Sequence, residues 1–239
     1  MKEILSMDTR KHNKPLFSPS LMCLDFLEIR NQIKILNKHC DMLHADMMDG
    51  HFAKNITLSV DLIKAILSVA EIPVEAHLMV TSPNDYIDSL AEAGVETISL
   101  QAETIQRESY RIIRRIKDLG CKVGIVLCPA TPLSMADWYL DQIDILTIMT
   151  VEVGYAGQKF IPRMIDKVAE ADQLKVEKGY HYIIQVDGAI GKNNYKALYD
   201  AGTRAFVLGT SGLFKPGIEL SKGCELMKEE FAEATGVSL

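Results

Sequence analysis

From about Leu16 onward, short apolar runs alternate with longer stretches in which apolar residues recur at helical spacing. Eight of the runs read as strands: residues 17–23, 42–47, 74–79, 97–100, 122–127, 145–150, 182–186 and 205–209. Between them, DFLEIRNQIKILNKH, NDYIDSLAEAG, QRESYRIIRRIKDLG and YKALYDAG carry amphipathic helical patterns. The last three stop at a glycine placed where a helix C-terminus favours one. Such alternation belongs to a parallel sheet with crossover helices. A closed barrel and an open doubly wound sheet compete for it. The count of eight favours the barrel, and no G-x-G-x-x-G turn follows the first run, where Cys23 leads into LDFLE. The expected fold is therefore α/β: a single-domain (β/α)8 TIM barrel over residues 16–239, preceded by a short extension over residues 1–15. A chain of 239 residues fits one such barrel, which typically needs about 250, and leaves no room for a second domain.

Composition narrows the partners. An apolar fraction of 48% and a charged fraction of 24% support a large core. The net charge of −6, with no Lys/Arg cluster interleaved with aromatics, does not suit a nucleic-acid backbone. Five cysteines, an odd number with no C-x-x-C pair, argue against a complete disulfide framework and read as reduced, mostly buried thiols. The N-terminal MKEILSMDTRKHNKPL is interrupted by Asp8, Arg10, Lys11 and Lys14, so it lacks a signal-peptide core. No run approaches the roughly 20 apolar residues of a membrane span. A cytoplasmic protein without a membrane or nucleic-acid partner is expected.

In a barrel, functional groups lie at the carboxyl ends of strands and in the loops just beyond. His44 and Asp46, two apart in HADMMDG, face the same side of their strand. His77 stands at equivalent depth in AHLMV, and Asp187 ends the seventh run in QVDGA. Two imidazoles and two carboxylates form a mixed N/O set suited to one divalent ion: Zn, Mn, Fe, Co or Mg. Taken singly, each is as readily a hydrogen-bonded core group; four at matched depths point to a ligand set. Asp49 and His51 belong to the loop after the second strand, where a loop-fixing role is as natural as substrate contact. Met48, Met79 and Met149, at strand ends, are core filler in isolation and a water-excluding floor if a site lies beside them. Gly154, Tyr155, Ala156 and Gly157 follow the sixth strand, Gly188 and Ala189 the seventh, and Gly209 and Thr210 the eighth. Loops in the last two positions often cradle phosphate with backbone amides. Tight turns would explain the glycines equally.

SPSLMCLD (18–25), HADMMDGHF (44–52), AHLMV (76–80), MTVEVGYAGQKFIP (149–162), VDGA (186–189) and GTSGLF (209–214) together resemble the ribulose-phosphate 3-epimerase family. The first and last look most like its D-allulose-6-phosphate 3-epimerase branch. The resemblance implies a metal-dependent isomerase that inverts C3 of a ketose phosphate through a metal-stabilised 2,3-enediolate. The expected reaction is D-allulose 6-phosphate to D-fructose 6-phosphate; D-ribulose 5-phosphate to D-xylulose 5-phosphate is the alternative. It also implies that His44, Asp46, His77 and Asp187 hold the metal, with Asp46 and Asp187 as the acid/base pair. Ser20 and the backbones of 154–157, 188–189 and 209–210 would bind the sugar phosphate, and the three methionines would line its reacting carbons. A homo-oligomer is implied as well.

The sequence departs from the family at Val153, Ala156 and Ala189, in HFAKN after the second strand, and at Gln101, where a histidine is usual. These changes leave a catalytically impaired sugar-phosphate-binding homologue as a further alternative. A Schiff-base aldolase would need a lysine at a strand end, and Lys122 begins its strand instead.

Overall fold

The structure, a computed structural model, describes residues 14–239. Its strands are β1 (Leu16–Pro19), β2 (Leu43–Met48), β3 (Val74–Met79), β4 (Thr97–Gln101), β5 (Lys122–Leu127), β6 (Ile145–Met149), β7 (Ile183–Asp187) and β8 (Ala205–Leu208). All neighbours pair in parallel, in the ring order β1-β8-β7-β6-β5-β4-β3-β2. The remaining seam, between β1 and β2, is bridged where Ser20 meets His44. Asp41 ties the same seam lower down: its amide donates to the Phe17 carbonyl, and its carboxylate accepts the Phe17 N–H at 2.9 Å. A sheet that closes on itself in this way has no exposed edge. The expected (β/α)8 barrel is the fold.

Helices α1 (Ile29–His39), α2 (Val60–Leu67), α3 (Ile87–Ala93), α4 (Ala102–Ile105), α5 (Ser109–Asp118), α6 (Met164–Lys178), α7 (Tyr195–Asp200) and α8 (Leu220–Thr235) surround the ring. In α5, Ile112, Ile113 and Ile116 are buried while Arg111, Arg114 and Lys117 face water. Each buried isoleucine contributes about 1.5–3 kcal/mol of transfer free energy, which is what holds so short a helix to the sheet. Gly94, Gly120 and Gly202, at the three helix ends expected to stop on glycine, all have positive φ. On α8, Phe231 wedges between Phe17 and Phe206 with ring centroids 5.1 Å from each, so the last helix braces β1 and β8.

Two elements differ from the sequence expectation. The run at 17–23 is a strand only to Pro19. Ser20 continues the ladder by donating to the Leu208 carbonyl, and Leu21–Cys23 then turns as a 3-10 helix with the Cys23 amide on the Ser20 carbonyl. This turn puts Ser20 at the barrel mouth. The crossover from β5 to β6 contains 3-10 turns at Leu133–Met135 and Leu140–Gln142 where the other crossovers carry α-helix. Pro129 and Pro132 supply no amide donors there. Of the N-terminal extension, residues 1–13 lie outside the described residues. Among the described residues no helix is long and apolar enough to cross a membrane.

Candidate active site

Alternate residues of a strand share a face, and in this barrel the inward face is polar. Low in the interior, Glu75 of β3 accepts from the Gln185 amide of β7 at 2.9 Å and from the Ser99 hydroxyl of β4. Thr147 of β6 donates to Gln185 Oε1 at 2.7 Å. These bonds cross between strands that are not all neighbours, so their side chains fill the barrel and do not face its helices. Two residues further along the same strands stand His77, Gln101, Met149 and Asp187, with His44 and Asp46 beside them on β2.

One nitrogen or oxygen from each of His44, Asp46, His77 and Asp187 converges so that all lie within 4.8 Å of one another. His44 Nε2 is 3.1 Å from Asp46 Oδ1, 3.3 Å from His77 Nδ1 and 3.7 Å from Asp187 Oδ2. His77 Nδ1 is 3.1 Å from Asp46 Oδ1 and 3.8 Å from Asp187 Oδ2. Ligands about 2.0–2.2 Å from a tetrahedral ion are separated by roughly 3.3–3.6 Å, so the set fits one divalent cation with little adjustment. The His44 ring is oriented by its other nitrogen, Nδ1, which lies 2.9 Å from Glu75 Oε2. A carboxylate behind a ligating imidazole fixes its tautomer and raises its basicity.

The two aspartates differ in charge preference. Burial opposes ionisation of Asp46, yet the His44 and His77 imidazoles outweigh it and hold the carboxyl far below the usual carboxylate range. Burial pushes Asp187 up to about 6, and the Asp46 charge adds to the rise. Burial alone would lower His44, but the Asp46 and Glu75 carboxylates raise it well above the ordinary imidazole value. The Ser20 hydroxyl donates to Asp46 Oδ2 at 2.7 Å and sets the plane of that carboxylate.

Above this cluster opens a small cavity of about 60 Å³. Asp46 and Asp187 reach its floor beside Met48, Met79 and Met149, and its walls include Ser20, Gly154, Tyr155, Ala156, Gly157, Gly188, Ala189, Gly209 and Thr210. His44 and His77 are fully buried beneath it. Every residue expected in the site thus belongs either to the cluster or to the wall above it. Among the described residues, no lysine, arginine or histidine lines the cavity; Lys159 is exposed and outside it. Near the loops after β7 and β8, the amides of Gly188, Ala189 and Ser211 have no acceptor among the described residues. Gly188 takes φ +118°, and a Cβ there would meet Val151 Cγ2 at 2.4 Å. Ala189 is left-handed at φ 53°, the one non-glycine residue with positive φ among those described. An alanine in this region costs about 1–2 kcal/mol. This loop conformation is therefore held by its surroundings.

Asp49 and His51 prove to be loop-fixing. The Asp49 carboxylate accepts from the amides of His51, Phe52 and Thr81 and from the Thr81 hydroxyl, all at 2.8–2.9 Å, and so ties the β2 loop to the β3 loop. The sequence reading missed Glu75, Gln185, Met22 and Cys23. Glu75 and Gln185 were accessible by the same two-residue period that picked out His77 and Asp187. Met22 and Cys23 reach the cavity only because the chain turns after Pro19. Cys23 carries no thiolate: burial, with the Asp46 charge, pushes it up to about 11.

Fold and site together define an enzyme of the (β/α)8-barrel class, with its centre at the carboxyl ends of the strands. The model of the ribulose-phosphate 3-epimerase family matches residues 16–214, and the chain belongs to that family. It is accordingly an isomerase. It is 36% identical over 196 residues to ribulose-phosphate 3-epimerase of Bacillus subtilis (strain 168), a match covering 81% of this chain and 90% of the relative. It is 34% identical over 223 residues to the chloroplastic ribulose-5-phosphate-3-epimerase of Arabidopsis thaliana, covering 92% and 79%. With the Escherichia coli (strain K12) ribulose-phosphate 3-epimerase it shares 32% over 222 residues, covering 92% and 97%. Among solved structures, a crystal structure of KGPDC from Streptococcus mutans aligns with a TM-score of 0.72 at 13% identity, over 92% of this chain and 98% of that one. The 3-hexulose-6-phosphate synthase of Salmonella typhimurium aligns at 0.70 with 15% identity, over 92% and 99%. At such identities the likeness concerns the barrel alone.

Proposed function

We propose that the protein inverts C3 of a ketose phosphate, interconverting D-allulose 6-phosphate and D-fructose 6-phosphate, with Asp46 and Asp187 as the acid/base pair. The observation that carries the reading is the pair of carboxylates at one cavity floor, Asp46 from β2 and Asp187 from β7, gathered with two imidazoles. Inversion beside a carbonyl removes a proton from one face of the carbon and returns one to the other. It therefore needs a base and an acid at the same moment, on different sides of the substrate. Asp46 from β2 and Asp187 from β7 meet both requirements, and their roles exchange in the reverse direction.

His44, Asp46, His77 and Asp187 would together hold one divalent cation. When bound, such an ion supplies Lewis-acid stabilisation of the negative charge that develops on the sugar oxygens as the proton leaves. The chain's own residues do the rest. Ser20 keeps the Asp46 carboxylate in one plane, so the proton moves to and from a fixed oxygen. Met48, Met79 and Met149 exclude water from the reacting carbons with soft, polarisable surface. The amides of Gly188, Ala189 and Ser211 suit a phosphate oxygen, meeting its charge with dipoles where, among the described residues, no cationic side chain lines the wall.

The names of the relatives favour a second substrate, D-ribulose 5-phosphate, giving D-xylulose 5-phosphate. SPSLMC and GTSGLF support the six-carbon sugar, while Ala53, Lys54 and Val153 lie in or beside the loops that cover it. Side-by-side steady-state kinetics on the two ketose phosphates decides between them. The expectation is a higher kcat/KM for D-allulose 6-phosphate; a preference for the pentose phosphate assigns the second reading, and turnover of neither assigns the sugar-phosphate-binding one.

A further inference from the structure

Two buried side chains, Thr150 and Asn194, hold the loop after β7 from behind, and neither belongs to the cavity wall. Thr150 follows β6 and continues its ladder, the Thr150 amide donating to the Asp187 carbonyl at 2.7 Å. Its hydroxyl, 3.0 Å from the same oxygen, also donates to the Gly188 carbonyl. Asn194, just before α7, donates from Nδ2 to the Ala189 carbonyl at 3.0 Å, and its Oδ1 accepts the Gly191 N–H at 2.9 Å. One of those partners only accepts and the other only donates, so the backbone itself fixes which way the Asn194 amide faces. The two peptide units that meet at Ala189 are thus each held by one side chain.

The consequence falls on an N–H group. In a trans peptide the carbonyl and the N–H of the next residue point in opposite directions. Holding the Gly188 carbonyl on Thr150 therefore turns the Ala189 N–H away from Thr150, to the side on which Ala189 forms the cavity wall with Gly209, Thr210 and Ser211. That N–H has no acceptor among the described residues. Ala189 stands at φ 53°, a region an alanine leaves unless its surroundings prevent it. We propose that Thr150 and Asn194 are positioning residues for phosphate recognition: between them they keep Ala189 left-handed and its amide presented to the cavity before the substrate arrives. A dipole already in place loses no freedom when the anion binds. Both residues act through the backbone of Ala189, add no charge to the site and touch no reacting atom.

The inference rests on the proposed reading of this wall as a phosphate cradle, and the test separates it from the proposed reaction. Isothermal titration calorimetry measures the affinity for inorganic phosphate in wild type, Thr150→Val, Thr150→Ser and Asn194→Asp, and steady-state kinetics on the ketose phosphate gives KM and kcat for each. Thr150→Val keeps the side-chain shape and loses the hydroxyl. Asn194→Asp keeps the acceptor for Gly191 and loses the donor to Ala189, and it lies outside the strands, so it carries the test should Thr150→Val fail to fold. Each should bind phosphate about 2- to 10-fold more weakly, the factor that one net hydrogen bond represents, and raise KM by a similar factor while kcat falls less. Thr150→Ser should restore both. A fall in kcat with phosphate affinity and KM unchanged, or a Thr150→Ser no better than Thr150→Val, would overturn the positioning role. If the wild type binds phosphate but turns over no ketose phosphate, the proposed reaction falls, and the phosphate affinities of the variants still decide the inference. If it inverts the sugar without measurable phosphate binding, the inference falls and the reaction stands.

Discussion

At the scale of single residues, the asymmetry between Asp46 and Asp187 comes from their neighbours and not from their chemistry. Asp46 touches both imidazoles and a hydroxyl donor, whereas Asp187 stands farther from the rings and meets the Asp46 charge. A carboxamide accepts hydrogen bonds but moves no proton. Asp46→Asn and Asp187→Asn should each lower kcat/KM for C3 inversion by at least about 10², the lower end of what positioned proton transfer contributes. Exchange of the C3 proton with solvent deuterium, followed by NMR, should then survive from only one of the two epimers in each variant, and the complementary one in the other. Metal content measured on the same samples distinguishes a lost base from a lost ligand. Near-normal turnover by either variant would remove that aspartate from the mechanism.

Among elements, the β2 and β6 loops are coupled directly. Asn55 Nδ2 donates to the Gly154 carbonyl at 2.7 Å, joining residues 99 apart in sequence across the cavity mouth. Ala53 and Met48 pack with Val153 in the same region. The family departures at Ala53 and Val153 therefore fall on two loops that touch. Asn55→Ala should cost about 0.5–1.5 kcal/mol in urea unfolding, the net value of one hydrogen bond. It should also raise KM for the sugar phosphate more than it lowers kcat, since the bond shapes the wall and touches no reacting atom. A kcat loss with unchanged KM would place Asn55 in the chemical step instead.

For the whole molecule, the barrel interior concentrates three carboxylates and two imidazoles, fully or mostly buried, in one small volume. Buried charges of like sign are costly unless countered, so a divalent cation should stabilise the native state as well as complete the site. At a free Zn²⁺ concentration about 100 times its Kd, linkage adds about 2.7 kcal/mol. For a chain of this size that raises Tm by about 5–11 °C relative to protein in excess chelator. Differential scanning calorimetry checks the shift, and His44→Ala should abolish it. A wild-type Tm indifferent to both chelator and Zn²⁺ would argue that the cluster is a hydrogen-bonded core and not a metal site.

Much of this was legible in the sequence because it depends on local pattern. The alternation of strands and helices, and the placing of His44, Asp46, His77 and Asp187 near strand ends, follow from backbone periodicity and from the scarcity of polar side chains in apolar runs. The turn after Pro19 was not legible, since apolar residues 21–23 continue the strand pattern while the hydrogen bonds do not. Nor was the meeting of Glu75 with Gln185, 110 residues away, since the two-residue period gives each its face but only ring closure joins them. The sequence by itself determined which chemical groups the barrel carries and at what depth on each strand. Tertiary structure alone decided which of them meet and that burial and neighbouring charge push the two aspartates in opposite directions, because those depend on distances across a closed ring that no local pattern encodes.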